Sequence, residues 1–333
     1  MDDALLRRVA SSRGAPKAAP KFPKGIPKGW AVVDADTGRV VASGGARVAL
    51  PPASLSKVLT ALVVVGALKP DTPVPVSRRA AAAPPSRVGM AEGQTWRTED
   101  ALRAMLLTSA NDAALALAEK SGGGSLSGFQ QRLADLAKRL GLADRPVLRD
   151  PAGLDDSASV GGGNLISARD LAIVARAALA QPRIASIVKM REYRFKGPDG
   201  KQRRLVNHNK LLKTYRGMVG MKTGFTKKAG GCLLTAATRN GRTMVAVVLG
   251  VRDIYGSSKA LLDLGFGLRP KDQPRADVLP RVLTSVAPAP AAPAKPKPKP
   301  KSKSPSSAPA SKPKSSSRSP ATIAPQKPPR HTQ

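Results

Sequence analysis

Three short strings stand in one order along the chain: Ser54-Leu55-Ser56-Lys57, Ser109-Ala110-Asn111 and Lys222-Thr223-Gly224. Together they hold the polar groups of a serine acyl-transfer site that does not use His. A serine hydroxyl attacks a carbonyl only when a neighbour takes its proton. With two His among 333 residues, an amine one helical turn away is the natural base. Positions i and i+3 put Ser54 and Lys57 on one helix face. Burial beside an apolar helix and a second cation such as Lys222 both disfavour the ammonium form, so Lys57 can be neutral and accept a proton. Lys222 and Thr223 offer charge and a hydroxyl to a substrate carboxylate. Gly224 leaves room for substrate backbone against the strand.

Each string alone is weak. Ser186 to Lys189 and Ser311 to Lys314 also fit Ser-x-x-Lys, but Ser186 has no Ser-x-Asn between itself and Lys222, and Ser311 lies in a low-complexity tail. Ser and Asn commonly end or cap helices, and Lys-Thr-Gly alone reads as an ordinary strand edge. Order and placement make them a site.

The elements that must position these groups follow from pattern. Gly29 to Ser43 alternates around Asp36-Thr37-Gly38 as a hairpin. After Pro51-Pro52, Ser54 to Leu68 has the apolar density of a helix packed on all sides, with Ser54 near its positive end. Thr98 to Lys120 reads as helix, N-capped at Thr98 and interrupted by Ser109-Ala110-Asn111. Phe129 to Leu140, ended by Gly141, and Ser167 to Ala180, capped by Ser167, are further helices. Cys232 to Thr238 and Met244 to Val251 form a hairpin across Asn240-Gly241, and Ser257 to Leu264 is a last helix. Strands at both ends with helices between imply an α+β fold, an antiparallel sheet with helices packed on it. Cys232 sits in an apolar run and reads as a small buried hydrophobe.

The formal net charge is +34, and from Ala287 onward there are Lys and Arg but no Asp or Glu. The Lys-Pro and Ser-Pro pairs there lack the apolar side chains that would offset ordering entropy, so 287–333 is expected to be a disordered, partly polyproline arm. Extended at ~3.1 Å per residue, it would reach on the order of 100 Å. The expected organisation is a disordered basic, Pro-rich segment at 1–28, a catalytic domain at 29–268, a linker at 269–286 and the tail at 287–333. Aromatics are 3% of residues, too few for stacking platforms, so nucleic acid is a poor partner. Anionic polymers of the cell envelope suit the tail better; the bland alternative is a solvated, self-repelling linker. Val58 to Leu68 is about half the ~20 residues a spanning helix needs. The first residues show no basic region followed by an apolar one, as an export signal would. An extracytoplasmic or secreted enzyme is nonetheless expected, with a truncated start as the preferred explanation.

At this point the chain resembles the low-molecular-mass penicillin-binding D-alanyl-D-alanine carboxypeptidases, serine peptidases of the S11 family with a β-lactamase/transpeptidase-like fold. The resemblance spans roughly Trp30 to Gly267. It includes Val33-Asp34-Ala35-Asp36-Thr37-Gly38, Pro52-Ala53-Ser54-Leu55-Ser56-Lys57, Glu92-Gly93-Gln94 and Leu107 to Ala114. It continues through Gly153-Leu154-Asp155-Asp156, Ser167-Ala168-Arg169-Asp170-Leu171, Asn207 to Leu212 and Gly220 to Thr226. It implies that Ser54 attacks the carbonyl between the last two D-alanines of a peptidoglycan stem peptide, that Lys57 is the base, and that β-lactams acylate Ser54. It also implies an oxyanion hole from the amides of Ser54 and Phe225, a proton relay through Ser109, a hold on the acyl chain by Asn111, and carboxylate binding by Lys222 and Thr223. No cofactor is implied. Some relatives carry an Arg where this chain has His208, so His208 or Arg252 is expected to assist with the carboxylate. In place of the β-domain and amphipathic anchor of many relatives, the basic tail is expected.

The nearest rival, a class A β-lactamase, needs a Glu between the second and third strings, and residues 120–191 contain none. Asp155 or Asp156 remains as a substitute, and endopeptidase action on cross-links is not separable by sequence. A non-catalytic polyanion-binding protein is the rival of another class.

Overall fold

The computed structural model describes residues 20–155, 159–272 and 277–282. The expectations for the first 19 residues and for the tail lie outside the described residues.

Strands β1 (Gly29–Asp34) and β2 (Val40–Gly44) form the expected hairpin, and a 3₁₀ turn, Ala53–Leu55, leads into α1 (Ser56–Ala67). Short elements follow, β3 (Pro73–Pro75), α2 (Arg78–Ala81) and β4 (Thr95–Arg97), then the helices α3 (Thr98–Leu107), α4 (Asn111–Ser121) and α5 (Leu126–Leu140). Helices α6 (Ala168–Leu179) and α7 (Pro182–Val188) precede a ribbon, β5 (Glu192–Lys196) with β6 (Gln202–Val206), and a single turn, α8 (Leu211–Thr214). The last elements are β7 (Met218–Thr226), β8 (Gly230–Arg239), β9 (Arg242–Val251) and α9 (Ile254–Gly267).

The main sheet is antiparallel in the order β2-β1-β9-β8-β7, so the two chain ends of the domain meet at its centre. Side chains alternate across a strand, and both faces here are covered, which explains the near-continuous apolar runs of β8 and β9. On β1, Ala31 and Val33 enter a large core shared with α1, α4 and α6, while Trp30 and Val32 face a second core beneath α9. On β9, Val245, Val247 and Leu249 take the first face; Met244, Ala246 and Val248 take the second. The α+β expectation holds, with one helix layer thin and the other expanded into a helical cluster. No single helix among the described residues is long and apolar enough to cross a membrane.

Local chemistry explains most boundaries. Ser125 and Ser167 cap α5 and α6, each side chain accepting from the amide three residues on. Thr98 is not the cap of α3: β4 runs directly into the helix, Arg97 holds the cap position, and the Thr98 hydroxyl donates to the Thr72 carbonyl at 2.7 Å. The β5–β6 ribbon has no counterpart among the expected elements because it is mostly charged. Its apolar face is narrow, with Phe195 edge-on to Trp96 at 5.7 Å between ring centroids.

Two domain edges differ from expectation. Phe22 packs edge-on against Trp30 at 5.3 Å, so the described part of the N-terminal segment joins the second core. Within the expected linker, the Val40 amide donates to Asp277 and the Leu279 amide to Gly38, and Arg176 reaches the Pro280 carbonyl at 2.7 Å. Leu279 is 4% exposed. Leu279→Ala should therefore destabilise the domain by about 2–5 kcal/mol, read as a lower Tm in thermal unfolding. An unchanged Tm would mean that this segment is a linker after all.

Candidate active site

Ser54 lies in the 3₁₀ turn and Lys57 one turn later, at the start of α1. Lys57 is fully buried. Its Nζ contacts three oxygens: Ser54 Oγ at 2.9 Å, Asn111 Oδ1 at 2.8 Å and the Ala152 carbonyl at 2.6 Å. Two of these can only accept. The Asn111 amide cannot be reversed, because its Nδ2 donates to the Pro84 and Pro85 carbonyls at 3.0 and 3.1 Å. A neutral amine has two N–H bonds and one lone pair. Both N–H groups are claimed by Asn111 and Ala152, which turns the lone pair toward the hydroxyl of Ser54.

Burial favours that neutral form. It pulls Lys57 down to about 7, against the opposing pull of Asp150 and Asp112. Those carboxylates are not free anions: Asp150 accepts from the amides of Ala152, Gly153, Leu154 and Val160, and Asp112 from those of Val88, Gly89 and Met90. They serve as knots that hold the two loops flanking Lys57. Asn164 completes the first knot, donating to Ser56 Oγ at 2.9 Å and to the Asp150 carbonyl at 2.8 Å. Asp150, Asn164 and the Ala152 carbonyl escaped the sequence reading. Asp150-Pro151 just before Gly153 was the only available signal.

Lys222 is also buried, on edge strand β7, with Nζ donating to the Thr223 carbonyl at 2.8 Å. Burial, then the nearby Lys57, push it well below the usual lysine range. Ser109 adopts a left-handed backbone, φ 62°, in the turn between α3 and α4. A cleft of about 270 Å³ brings Ser54, Ser109, Asn111, His208, Thr223, Gly224 and Phe225 to one surface, with Pro85, Leu154 and Ile254 among its walls.

Three expected site residues have surroundings that the sequence did not show. Asn111 has both ends of its amide engaged, so in this state it positions Lys57 and has no donor left for an acyl chain. Gly224 is needed by the protein itself: a Cβ there would lie 3.0 Å from the Ser54 amide nitrogen and 3.1 Å from Ala53 Cβ. Arg252 is exposed just past β9 and does not line the cleft, whereas His208 does. Asp155, weighed as a lactamase-type substitute, accepts from Thr226 Oγ1 at 2.6 Å; Asp156 lies outside the described residues. Ser186 bonds the Arg183 carbonyl within α7, as befits a chance match.

A serine held against a buried amine whose ammonium form is disfavoured by burial, in a cleft between an antiparallel sheet edge and a helical cluster, defines a serine acyl-transfer enzyme of the penicillin-recognising kind. Comparison with known proteins places it more closely. Residues 18–253 match the D-alanyl-D-alanine carboxypeptidase family, peptidase S11, and the chain belongs to that family. It is 34% identical over 262 residues to the D-alanyl-D-alanine carboxypeptidase DacB2 of Mycobacterium tuberculosis, covering 77% of this chain and 88% of that one. It is 31% identical to DacF of Bacillus subtilis, covering 67% of this chain and 57% of the relative. Among solved structures, a D-alanyl-D-alanine carboxypeptidase of Mycobacterium tuberculosis superposes with a TM-score of 0.70 at 33% identity, covering 77% of this chain and 97% of that one. A Streptomyces DD-transpeptidase superposes at 0.66 and 28% identity, covering 74% and 100%.

Gly153 ties the site to its scaffold. Its φ is +78°, and a Cβ there would lie 1.9 Å from the Ala53 carbonyl, beside the nucleophile. Gly153→Ala should lower Tm by at least ~2–4 °C, the equivalent of about 1 kcal/mol. It should also slow acylation of Ser54 by a fluorescent penicillin at least tenfold. A variant with normal Tm and labelling would show that the loop does not set the position of Ser54.

Proposed function

We propose that this enzyme removes the terminal D-alanine from peptidoglycan stem peptides ending in D-Ala-D-Ala through a Ser54 acyl-enzyme, and that β-lactams acylate the same serine. The observation that carries the mechanism is the Lys57 amine, whose two N–H bonds are claimed by Asn111 Oδ1 and the Ala152 carbonyl while Ser54 Oγ stands 2.9 Å away. Lys57 takes the hydroxyl proton as Ser54 Oγ bonds to the scissile carbonyl. The amides of Ser54 and Phe225 receive the oxyanion, the kind of term that usually contributes most. As the C–N bond breaks, the proton passes through Ser109 to the departing amine. Water then attacks the ester and Ser54 recovers its proton. Lys222 lends its field to the terminal carboxylate, and the Thr223 hydroxyl binds it. His208 lies within the cleft beside them, whereas Arg252 is exposed outside it.

The substrate lies outside the cytoplasm, so the enzyme works in the envelope or beyond it. The basic segment from Ala287, free of Asp and Glu, supports a second contact with anionic envelope polymers. This contact should weaken steeply with salt and prefer those polymers to DNA, as pull-down of the isolated tail across a salt series would measure.

Wild type should bind fluorescent penicillin covalently and release D-alanine from a pentapeptide, and Ser54→Ala should do neither. Labelling that survives this change would sink the assignment. The acylation step needs neutral Lys57, so its rate constant at saturating penicillin should rise about tenfold per pH unit below 7 and level off above. A rate that is flat from pH 5.5 to 8.5 would remove Lys57 as the base.

A further inference from the structure

His208 is the imidazole that faces the cleft; the chain's other one, His331, lies outside the described residues. Its place is fixed by backbone bonds on two sides. The His208 amide donates to the Leu107 carbonyl at 3.1 Å, where α3 ends beside the Ser109 turn. Its carbonyl accepts from the Tyr255 hydroxyl on α9 at 2.9 Å. The flanking residues are tied as well, with Asn207 Oδ1 accepting from the Asn209 amide and Asn209 Oδ1 from that of Leu211. These bonds fix the main chain at His208 between the end of α3 and the start of α9.

The charged and titratable groups on the surrounding elements are Lys222 on β7, Lys57 on α1, Tyr255 and Asp253 at the start of α9, Arg252 after β9, and Lys210 on the same loop. The Asp253 carboxylate is occupied by the Gly256 amide. Burial, then the Lys222 charge, hold the imidazole below its ordinary range, and no carboxylate among the described residues offsets them. What the ring lacks is an anion, and an anion is what the substrate brings.

We propose that His208 is a proton-linked receptor for the substrate carboxylate: neutral in the free enzyme, it takes one proton from solvent as a carboxylate-ended peptide enters and returns it when that carboxylate leaves. The inference rests on the carboxypeptidase reading above. An anion within a few ångströms favours the charged imidazole, and by reciprocity the charged imidazole favours the anion. The His208 pKa is low in the free enzyme and raised in the complex. Added affinity is therefore full below the free-enzyme pKa and lost as pH rises through the pKa of the complex. Peptide capture then weakens with rising pH while the Lys57 base gains, which opposes the two limbs of the pH profile of kcat/KM.

The chain's two His make the test direct. Imidazole Cε1–H resonances of full-length Ser54→Ala are titrated by NMR, with His208→Gln assigning the signals. Titrations are run alone, with diacetyl-lysyl-D-Ala-D-Ala, and with the C-terminal amide of that peptide. The acid peptide should raise the His208 midpoint by about one unit and the amide should leave it in place. Affinity of Ser54→Ala for the acid peptide should correspondingly fall about tenfold across that window. His208→Arg in this background should abolish the fall while keeping affinity, and His208→Gln should abolish it with affinity lowered. A midpoint unmoved by the acid peptide, or moved equally by the amide, overturns the proposal. So does absence of saturable binding while wild type still releases D-alanine. Failure of wild type to release D-alanine instead removes the activity on which the inference rests.

Discussion

An amine buried without an anion bonded to it is the constraint on which the rest of this structure depends. Lys57 has no carboxylate in contact; its partners are a hydroxyl, a side-chain carbonyl and a main-chain carbonyl. Burying an ammonium in such company is unfavourable, so the fold selects the base form. The same fold supplies two obligate acceptors to aim its lone pair. Asp150 and Asp112 act at one remove, close enough to keep Lys57 near 7 and far enough to leave it unpaired. A salt bridge in their place would have left a stable but inert lysine.

Three loops from distant parts of the chain line the cleft in front of that amine, and each is tied by main-chain bonds to a side chain. The 84–90 loop hangs on Asp112, the loop after α5 on Asp150 and Asn164, and the 207–211 turn on Asn207 and Asn209. The sheet contributes through its edge. Strand β7 can approach the Ser54 amide closely because position 224 has no side chain. Buried polar networks of this kind stiffen a site as their members find partners: Asp112 and Asp150 each accept from several main-chain amides, while Asn209 Nδ2 is buried with no hydrogen-bond partner.

Much of this was legible in the chain. The hairpins around Gly38 and Gly241, the helix after Ser54, and the Phe129 to Leu140 and Ser167 to Ala180 helices follow from period, caps and turn residues, which act over a few neighbours; the first of these two helices begins a turn earlier than expected, at Leu126 behind the Ser125 cap. The β5–β6 ribbon was not legible, since a strand rich in Arg, Lys and Glu carries no local sign that Phe195 will find Trp96 and Tyr193 will lie beneath Arg103. The docking of Leu279 was hidden for a similar reason: in the short run Val278-Leu279 nothing local says that Leu279 becomes core while Val278 stays exposed, which follows from its pairing beside β2.

The sequence by itself determined the chemistry that was possible: Ser54 and Lys57 on one turn, a Ser-x-Asn and a Lys-Thr-Gly behind them, and no Glu where a lactamase would need one. These are properties of residue type and spacing, which need no fold to be read. Only the tertiary structure decided which partners each group has. It bonded Asn111 to Lys57, used Gly224 to bring the 52–54 turn and the sheet edge into contact, left Arg252 at the surface and set His208 in the cleft. Protonation and orientation depend on burial and on atoms contributed from far along the chain, and those distances exist only once the chain has folded.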